Sequence, residues 1–313
     1  MKARLLLVIL MLIAPLVMLS AQPMLQNSLL WRISGKGLVK PSYLYGTIHV
    51  ICPQDYVLLG QTIEAMNRCR RIAFEIDLFN KQEATIIAQQ YINSQPNNYK
   101  RWLGEKDYEQ VRQFMATTAK ISDTTWMKVR PFVLGRLVLK KMMNCMELGA
   151  EQVVWGISRR DNDKRGYVHE FIGLENAADY EKLRFHPTEQ DSTEARYLHR
   201  WICHWKESQQ AMQHLVNLYK TEDIAGMQNL SEFIPYSKTQ TDTKQVQKQK
   251  VVLVDNRNRL WLLRMEKMMQ EKPTFFAVGA GHLAGKEGLI TLLRNQGYNL
   301  EPITKREQVL NFK

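Results

Sequence analysis

The sequence predicts an α/β (α+β) fold. A central mixed sheet is built from N- and C-terminal strand–helix–strand units, with a large helical insertion between them. Three observations predict it. Short apolar segments of strand character sit near both ends of the chain, at 43–49, 71–78, 274–278 and 298–303. The middle, about 80–250, is dominated by long helix-compatible stretches rich in Gln, Met, Lys and Leu. No Pro/Ser-rich linker divides the chain, so residues 22–313 read as one domain. With 313 residues, 45% hydrophobic and 24% charged, the chain can bury a sizeable core and is not of disordered composition.

The first residues stand apart. Lys2 and Arg4 precede the apolar run Leu5–Leu19, followed by Ser20-Ala21-Gln22-Pro23. That order reads as a secretory signal over residues 1–21, cut after Ala21, and predicts export to a periplasm or the extracellular space. The competing reading is an uncleaved anchor, although 15 apolar residues are short for a spanning helix.

Ser28–Ser34 (SLLWRIS) then reads as a strand, and Gly35-Lys36-Gly37 as a turn. Tyr43–His49 is a second, buried strand ending in Gly46-Thr47-Ile48-His49, where Gly46 lets the backbone approach a neighbour closely. Leu59–Arg70 has the spacing of a short amphipathic helix. In Arg71–Leu78 (RIAFEIDL), Ile72, Phe74, Ile76 and Leu78 alternate with Ala73, Glu75 and Asp77, which is strand periodicity.

Lys81–Ser94, Glu105–Lys120 and Pro131–Glu147 read as helices, and Arg159–Gly166 as a polar turn. Tyr167–Leu174 returns as a strand before Glu175, and 176–235 is helical again. Ser237–Gln249 reads as a loop or a solvated helix start, and Val251–Glu271 as a helix. Thr274–Val278 is a strand running into Gly279-Ala280-Gly281-His282. Gly285–Gln296 is an amphipathic helix and Tyr298–Ile303 a last strand. The order strand, Gly-x-x-His, helix, strand therefore occurs twice, at 43–78 and 274–303.

The formal net charge is +12, or +10 once Lys2 and Arg4 leave with a cleaved signal. The Lys and Arg residues are scattered and no zinc-finger or RNA-binding signature accompanies them, so nucleic acid is not an expected partner. Membrane contact is expected only if the N-terminal segment stays attached. Cys52, Cys69, Cys145 and Cys203 contain no CxxC pair, which excludes a zinc ribbon. One bridge between any two of them is compatible with export, and so are four buried thiols.

A strand end followed by a loop is where α/β sheets place functional side chains, so His49 and His282 are the leading candidates. Glu75, in an otherwise apolar segment, needs a cation, a metal or hydrogen-bond donors. Two imidazoles and one carboxylate form a first shell for a divalent metal that leaves room for water. The same groups without metal make a histidine base oriented by a carboxylate. Glu175 is a further acidic candidate, and Arg257 one that holds a carboxylate of the site or of a substrate.

The segments SYLYGTIHV, AFEIDL, FIGLEN, DNRNRLW and VGAGHLAGKEGLITLLRNQGY resemble the motif set of the TraB/GumN family, which includes the Tiki proteases. The resemblance covers most of the chain in the right order. It implies an α/β core like that of erythromycin-esterase-like and haem-uptake ChaN-like proteins. It also implies a catalytic set of His49, Glu75 and His282, with Glu175 and Arg257 at further motif positions, and metal-dependent proteolysis linked to Mn²⁺ or Co²⁺ in the Tiki branch. One departure precedes FIGLEN, where the chain reads ELGAEQVVWGISRRDND. Glu151 can supply the acid expected there, but the bulky Trp155, Arg159 and Arg160 follow. The expected activity is that of an exported, metal-dependent peptidase-like hydrolase acting on a peptide or small molecule without an organic cofactor. A non-catalytic peptide- or ligand-binding protein and a metal-free esterase-like hydrolase remain the alternatives.

Overall fold

The computed structural model describes residues 26–143, 145–146, 148–160, 166–184, 187–228, 240–304 and 309–311. The expected signal segment, 1–21, lies outside them, as do parts of the polar turn at 159–166 and of the stretch 237–249. Among the described residues no helix is long and apolar enough to cross a membrane.

The N-terminal half contributes strands β1 (Leu30–Gly35), β2 (Ser42–Thr47), β3 (Val57–Leu59) and β4 (Arg71–Phe74), with helix α1 (Gly60–Asn67) before β4. Helices α2 (Lys81–Gln89), α3 (Tyr99–Leu103), α4 (Glu105–Phe114), α5 (Asp123–Trp126), α6 (Pro131–Met143) and α7 (Ala150–Arg160) follow. Next come β5 (Glu170–Gly173), α8 (Ala177–Arg184), α9 (Pro187–Cys203), α10 (Trp205–Lys220), α11 (Ile224–Met227) and α12 (Gln240–Lys250). The chain closes with α13 (Asn256–Glu271), β6 (Thr274–Gly279), a 3₁₀ turn at Ala280–His282, α14 (Leu289–Asn295), β7 (Tyr298–Pro302) and β8 (Val309–Asn311).

Six strands form one mixed sheet in the order β5-β4-β6-β2-β1-β7. β2 lies parallel to β6, β6 to β4 and β4 to β5, while β1 runs antiparallel to both β2 and β7. The burial of the strands follows their rank in the sheet. β2, β4 and β6 are covered on both faces and read as continuous apolar runs, whereas the edge strand β5 is partly exposed. The register sets Thr47 opposite Gly279, so the two Gly-x-x-His endings emerge side by side.

The large sheet core includes Trp31, Leu44, Ile72, Phe275, Phe276 and Trp261, all fully buried. A second core, around Tyr99, Trp126, Val138 and Leu198, is built by the helices of the middle region. A buried ion pair between Arg130 and Asp191 ties the start of α6 to α9.

Two sequence expectations need correction. β4 stops at Phe74, because Asp77 Oδ1 accepts the Phe79 N–H and turns the chain into α2; Glu75 follows the strand instead of lying within it. The helix expected from Leu59 begins at Gly60, since Val57–Leu59 pairs with β8, a strand the pattern did not foresee. The strand expected within the helical middle forms as β5, which returns to the sheet and leaves Gly173 opposite Phe74. Among the cysteines, Cys52 and Cys145 form a disulfide, Cys69 is a buried thiol and Cys203 an exposed one.

Candidate active site

Because β2, β6, β4 and β5 are parallel, their C-terminal ends share one edge of the sheet. Each delivers a candidate side chain there. His49 comes two residues after β2, Glu75 directly after β4, Glu175 two residues after β5, and His282 from the 3₁₀ turn after β6. Arg257, from the first turn of α13, reaches in among them. All five residues singled out in the sequence therefore meet at one place.

The contacts assign each atom a part. Glu75 Oε1 accepts the Gly279 N–H at 2.8 Å, and Oε2 accepts Arg257 Nη2 at 2.6 Å. Arg257 also donates from Nε to Glu175 Oε1 at 2.8 Å and from Nη1 to the Leu253 carbonyl at 3.1 Å. Its guanidinium lies over the rings of Trp261 and Tyr180. Arg257 thus holds two carboxylates of the site itself. This pairing keeps Glu75 well below the usual carboxylate range despite its burial, whereas burial leaves Glu175 above it.

The two histidines are held differently. Asn258 Nδ2 donates to the carbonyls of His282 and Glu287, so its Oδ1 is an acceptor, and His282 Nδ1, 2.7 Å away, carries the proton. His282 Nε2 then presents a lone pair, which faces the Arg257 Nη1 donor at 3.5 Å and lies 3.7 Å from Glu75 Oε1. Burial pushes the His282 imidazole down to about 3, so it is neutral. His49 donates from Nδ1 to Glu151 Oε1 at 2.9 Å and turns Nε2 toward Glu75 Oε1 at 3.9 Å. The Glu151 carboxylate drives its imidazole up to about 9, although the ring is 56% exposed.

Glu151 is brought to His49 by main-chain pairing. Ile51 and Leu148 exchange both hydrogen bonds, and Ala150 N donates to Ile48 O, which sets the first turn of α7 beside the end of β2. Thr47 Oγ1 is a second donor to Glu151. Sequence reasoning saw Glu151 only as an acid before FIGLEN and assigned Asn258 no role. The available signals were the acid in the opening turn of a helix and the Asn next to Arg257. Arg264 lies outside the site, donating to the Leu174 carbonyl and pairing with Asp179. His169 is bound to Ser158 and the Met66 carbonyl, a structural role.

Among the described residues, no three His, Cys, Asp or Glu side chains have the convergence of a formed metal shell. The donor set nonetheless fits a divalent cation. A methyl group placed on Gly279 would lie 3.1 Å from Glu75 Oε1, 3.5 Å from His49 Nε2 and 3.6 Å from the His282 ring. These three side chains surround a space that glycine leaves open. Each is oriented through its far atom by Arg257, Glu151 or Asn258, as ligands of a metal are. A cavity of about 310 Å³ opens from His49, Glu75 and Arg257 toward Phe79, Ile87 and Tyr91.

The TraB/PrgY/gumN family model matches residues 29–302 of this chain. A relative, the "Metalloprotease TIKI homolog" of Nematostella vectensis, is 20% identical over 332 residues, covering 92% of this chain and 69% of its own length. No solved structure matches the chain. With the family model spanning both Gly-x-x-His endings and every strand of the large sheet, the chain belongs to the TraB/PrgY/gumN family.

Proposed function

We propose that this chain is an exported hydrolase of peptide bonds, in which His49, Glu75 and His282 hold a divalent cation such as Mn²⁺, Co²⁺ or Zn²⁺. One observation carries the reading. Two imidazole Nε2 atoms face the same Glu75 oxygen at 3.9 and 3.7 Å, while the opposite side of each group is fixed by a hydrogen-bond partner. The TIKI homologue named as a metalloprotease supports it at family level. The Cys52–Cys145 bridge and the basic-then-apolar N-terminus support export.

When bound, the cation supplies a Lewis acid that acidifies water and polarises a carbonyl. Glu75 is kept ionised by Arg257 and by the Gly279 N–H. Asn258 holds His282 in the tautomer whose Nε2 is an acceptor. Glu151 orients the His49 ring. The apolar wall formed by Phe79 and Ile87 excludes water from one side.

A second reading on the same residues needs no metal. His49, charged and held by Glu151, would give a proton to the leaving nitrogen.

Purified protein is assayed for bound metal and for cleavage of a peptide mixture, before and after chelation and after reloading with Mn²⁺, Co²⁺ or Zn²⁺. Loss of cleavage on chelation and its return on reloading is the expected result. Undiminished cleavage by the chelated protein would favour the metal-free reading. Peptide binding without any cleavage, retained in a His49→Ala/His282→Ala variant, would mean a binding protein.

A further inference from the structure

The charges of the cavity are paired with one exception. Arg257 is committed to Glu75, Glu175 and the Leu253 carbonyl, and Glu151 to His49 and Thr47. Arg136, from the second turn of α6, lines the same cavity and makes no hydrogen bond or ion pair among the described residues. It shares that lining with His49, Glu75 and Glu151, which places it at the candidate site. Its placement is built into the packing. Gly135 faces Trp201 of α9 so closely that an added methyl would lie 2.8 Å from the indole ring. The Arg130–Asp191 pair holds the same two helices together. The same cavity is lined by the apolar Leu78, Phe79 and Ile87.

An unpaired guanidinium in a cavity with apolar lining, at the mouth of a hydrolytic site, suits a ligand with a carboxylate beside an apolar side chain. The charge pattern also selects which end of a peptide enters. A free α-ammonium would need an uncommitted carboxylate, and Glu75, Glu151 and Glu175 are all engaged by cations. The free charge is positive, so it suits a C-terminus. The cavity, about 310 Å³, is at the small end for ligand pockets and suits a single terminal residue.

We propose that Arg136 is a specificity-determining residue that receives the terminal carboxylate of a peptide ending in an apolar residue, so that the site releases that last residue. The proposal rests on the reading of the site as a peptide hydrolase. In the step, a C–O bond forms between water and the carbonyl carbon of the penultimate residue, and the C–N bond to the last residue breaks. The proton lost by water passes to the leaving amine.

The test uses the full exported chain with its metal content measured. Peptides ending in Leu or Phe are compared as free acids and as C-terminal amides, with release of the last residue followed by mass spectrometry. The expected preference for the free acid is about 30-fold in kcat/KM, the order a charge-assisted hydrogen bond supplies. In Arg136→Gln that ratio falls to near one, and Arg136→Lys restores part of it. Binding of N-acetyl-L-phenylalanine, against its amide, to wild type and Arg136→Gln is measured in parallel and needs no turnover. If nothing is cleaved but the acid binds more tightly than the amide only when Arg136 is present, the carboxylate assignment stands and the hydrolase reading falls. Cleavage with equal rates for acid and amide overturns the assignment while leaving the hydrolase reading intact. Arg136-dependent cleavage of amidated peptides next to an internal Asp or Glu would also overturn it, because the carboxylate would then come from a side chain. Absence of both cleavage and acid-selective binding overturns it as well. Thermal melting of both variants checks that they fold, as expected for an exposed position.

Discussion

Cys52 lies three residues beyond His49, and its disulfide partner Cys145 three residues before Leu148, so the bridge flanks the main-chain pairing that brings Glu151 to His49. The two cysteines are 93 residues apart in sequence, with Cα atoms 5.8 Å apart. In the chain-entropy picture, closing a loop of that length removes about 16 cal/mol/K from the unfolded chain, or about 4.6 kcal/mol at 25 °C. Native bridges typically deliver about 2–4 kcal/mol of such a ceiling. A Cys52→Ser/Cys145→Ser protein should therefore lose about 3 kcal/mol in urea unfolding, read from the free energy extrapolated to water, with a steeper slope because the uncrosslinked chain exposes more surface. It should also lose function beyond its loss of stability. With the bridge gone, the His49 loop is held to α7 by the Ile51–Leu148 pair and the Ala150–Ile48 bond, which can open locally. If the site holds a metal as proposed, affinity for Mn²⁺, Co²⁺ or Zn²⁺ should then drop under conditions where the protein is still folded. A double variant within about 1 kcal/mol of wild type would refute the loop-closure argument. A non-reducing peptide map joining Cys52 to Cys69 or Cys203 would refute the pairing itself.

Arg257→Met removes the cation that bridges Glu75 and Glu175, both largely buried, and should cost about 3–5 kcal/mol of stability, the usual cost of breaking a buried pair. Arg257→Lys should cost less in the same urea titration, and equal losses would mean that charge compensation is not what Arg257 provides. Glu151→Gln should bring the His49 imidazole in metal-free protein from about 9 back toward the ordinary ~6.5, followed by NMR titration. An unmoved titration would make Glu75 the cause. The same shifts set the pH dependence of metal-free stability. Glu75 and Glu151 are held below the ordinary ~4.3 of a glutamate, so the stability they contribute is present above that pH and is lost as pH falls. His49 is raised, so its contribution is present below ~6.5 and is lost as pH rises through about 9. His282 is lowered to about 3, so its contribution is present above ~6.5 and is lost as pH falls toward about 3. Urea midpoints from pH 3 to 10 should peak near ~6.5, and an alkaline decline that persists in Glu151→Gln would count against the His49–Glu151 pair as its source.

The sheet was largely legible because its central strands are buried on both faces and read as apolar runs that few other structures tolerate. Tyr43–Thr47 and Thr274–Gly279 belong to that class. What local pattern could not show was where a strand stops for a tertiary reason. RIAFEIDL alternates to its end, yet pairing with β5 and the Asp77 turn cut it at Phe74. Glu75 is thereby freed from the sheet and can turn toward both histidines. β8 was hidden because Val309–Asn311 gains strand character only by meeting β3. The site followed the same division. His49, Glu75, Glu175, Arg257 and His282 carry strand-end or motif signals, whereas Glu151, Asn258 and Arg136 sit on helices, where a polar residue is ordinarily a solvated one.

The repeated Gly-x-x-His needs a physical cause, because the two copies share little else. After β2 the chain steps across β6 to β4, and after β6 it steps the other way, across β2 and β1, to β7. What the copies share is the contact between them. A methyl on Gly46 would lie 3.1 Å from Ala280 Cβ and from Leu283, both in the second ending. A methyl on Gly279 would lie 3.5 Å from His49 Nε2, in the first, and 3.1 Å from Glu75 Oε1. Each glycine makes room for the other motif, so neither ending is meaningful alone. The two positions should differ in consequence. Gly46→Ala meets only apolar carbon and should cost stability, of the order of 1–3 kcal/mol for overpacking. Gly279, at φ −51°, accepts alanine without backbone strain, and its methyl enters the space between the site's donors. Gly279→Ala should therefore melt close to wild type while losing metal binding. A variant that unfolds early yet binds metal normally would show that Gly279 serves the sheet and not the site.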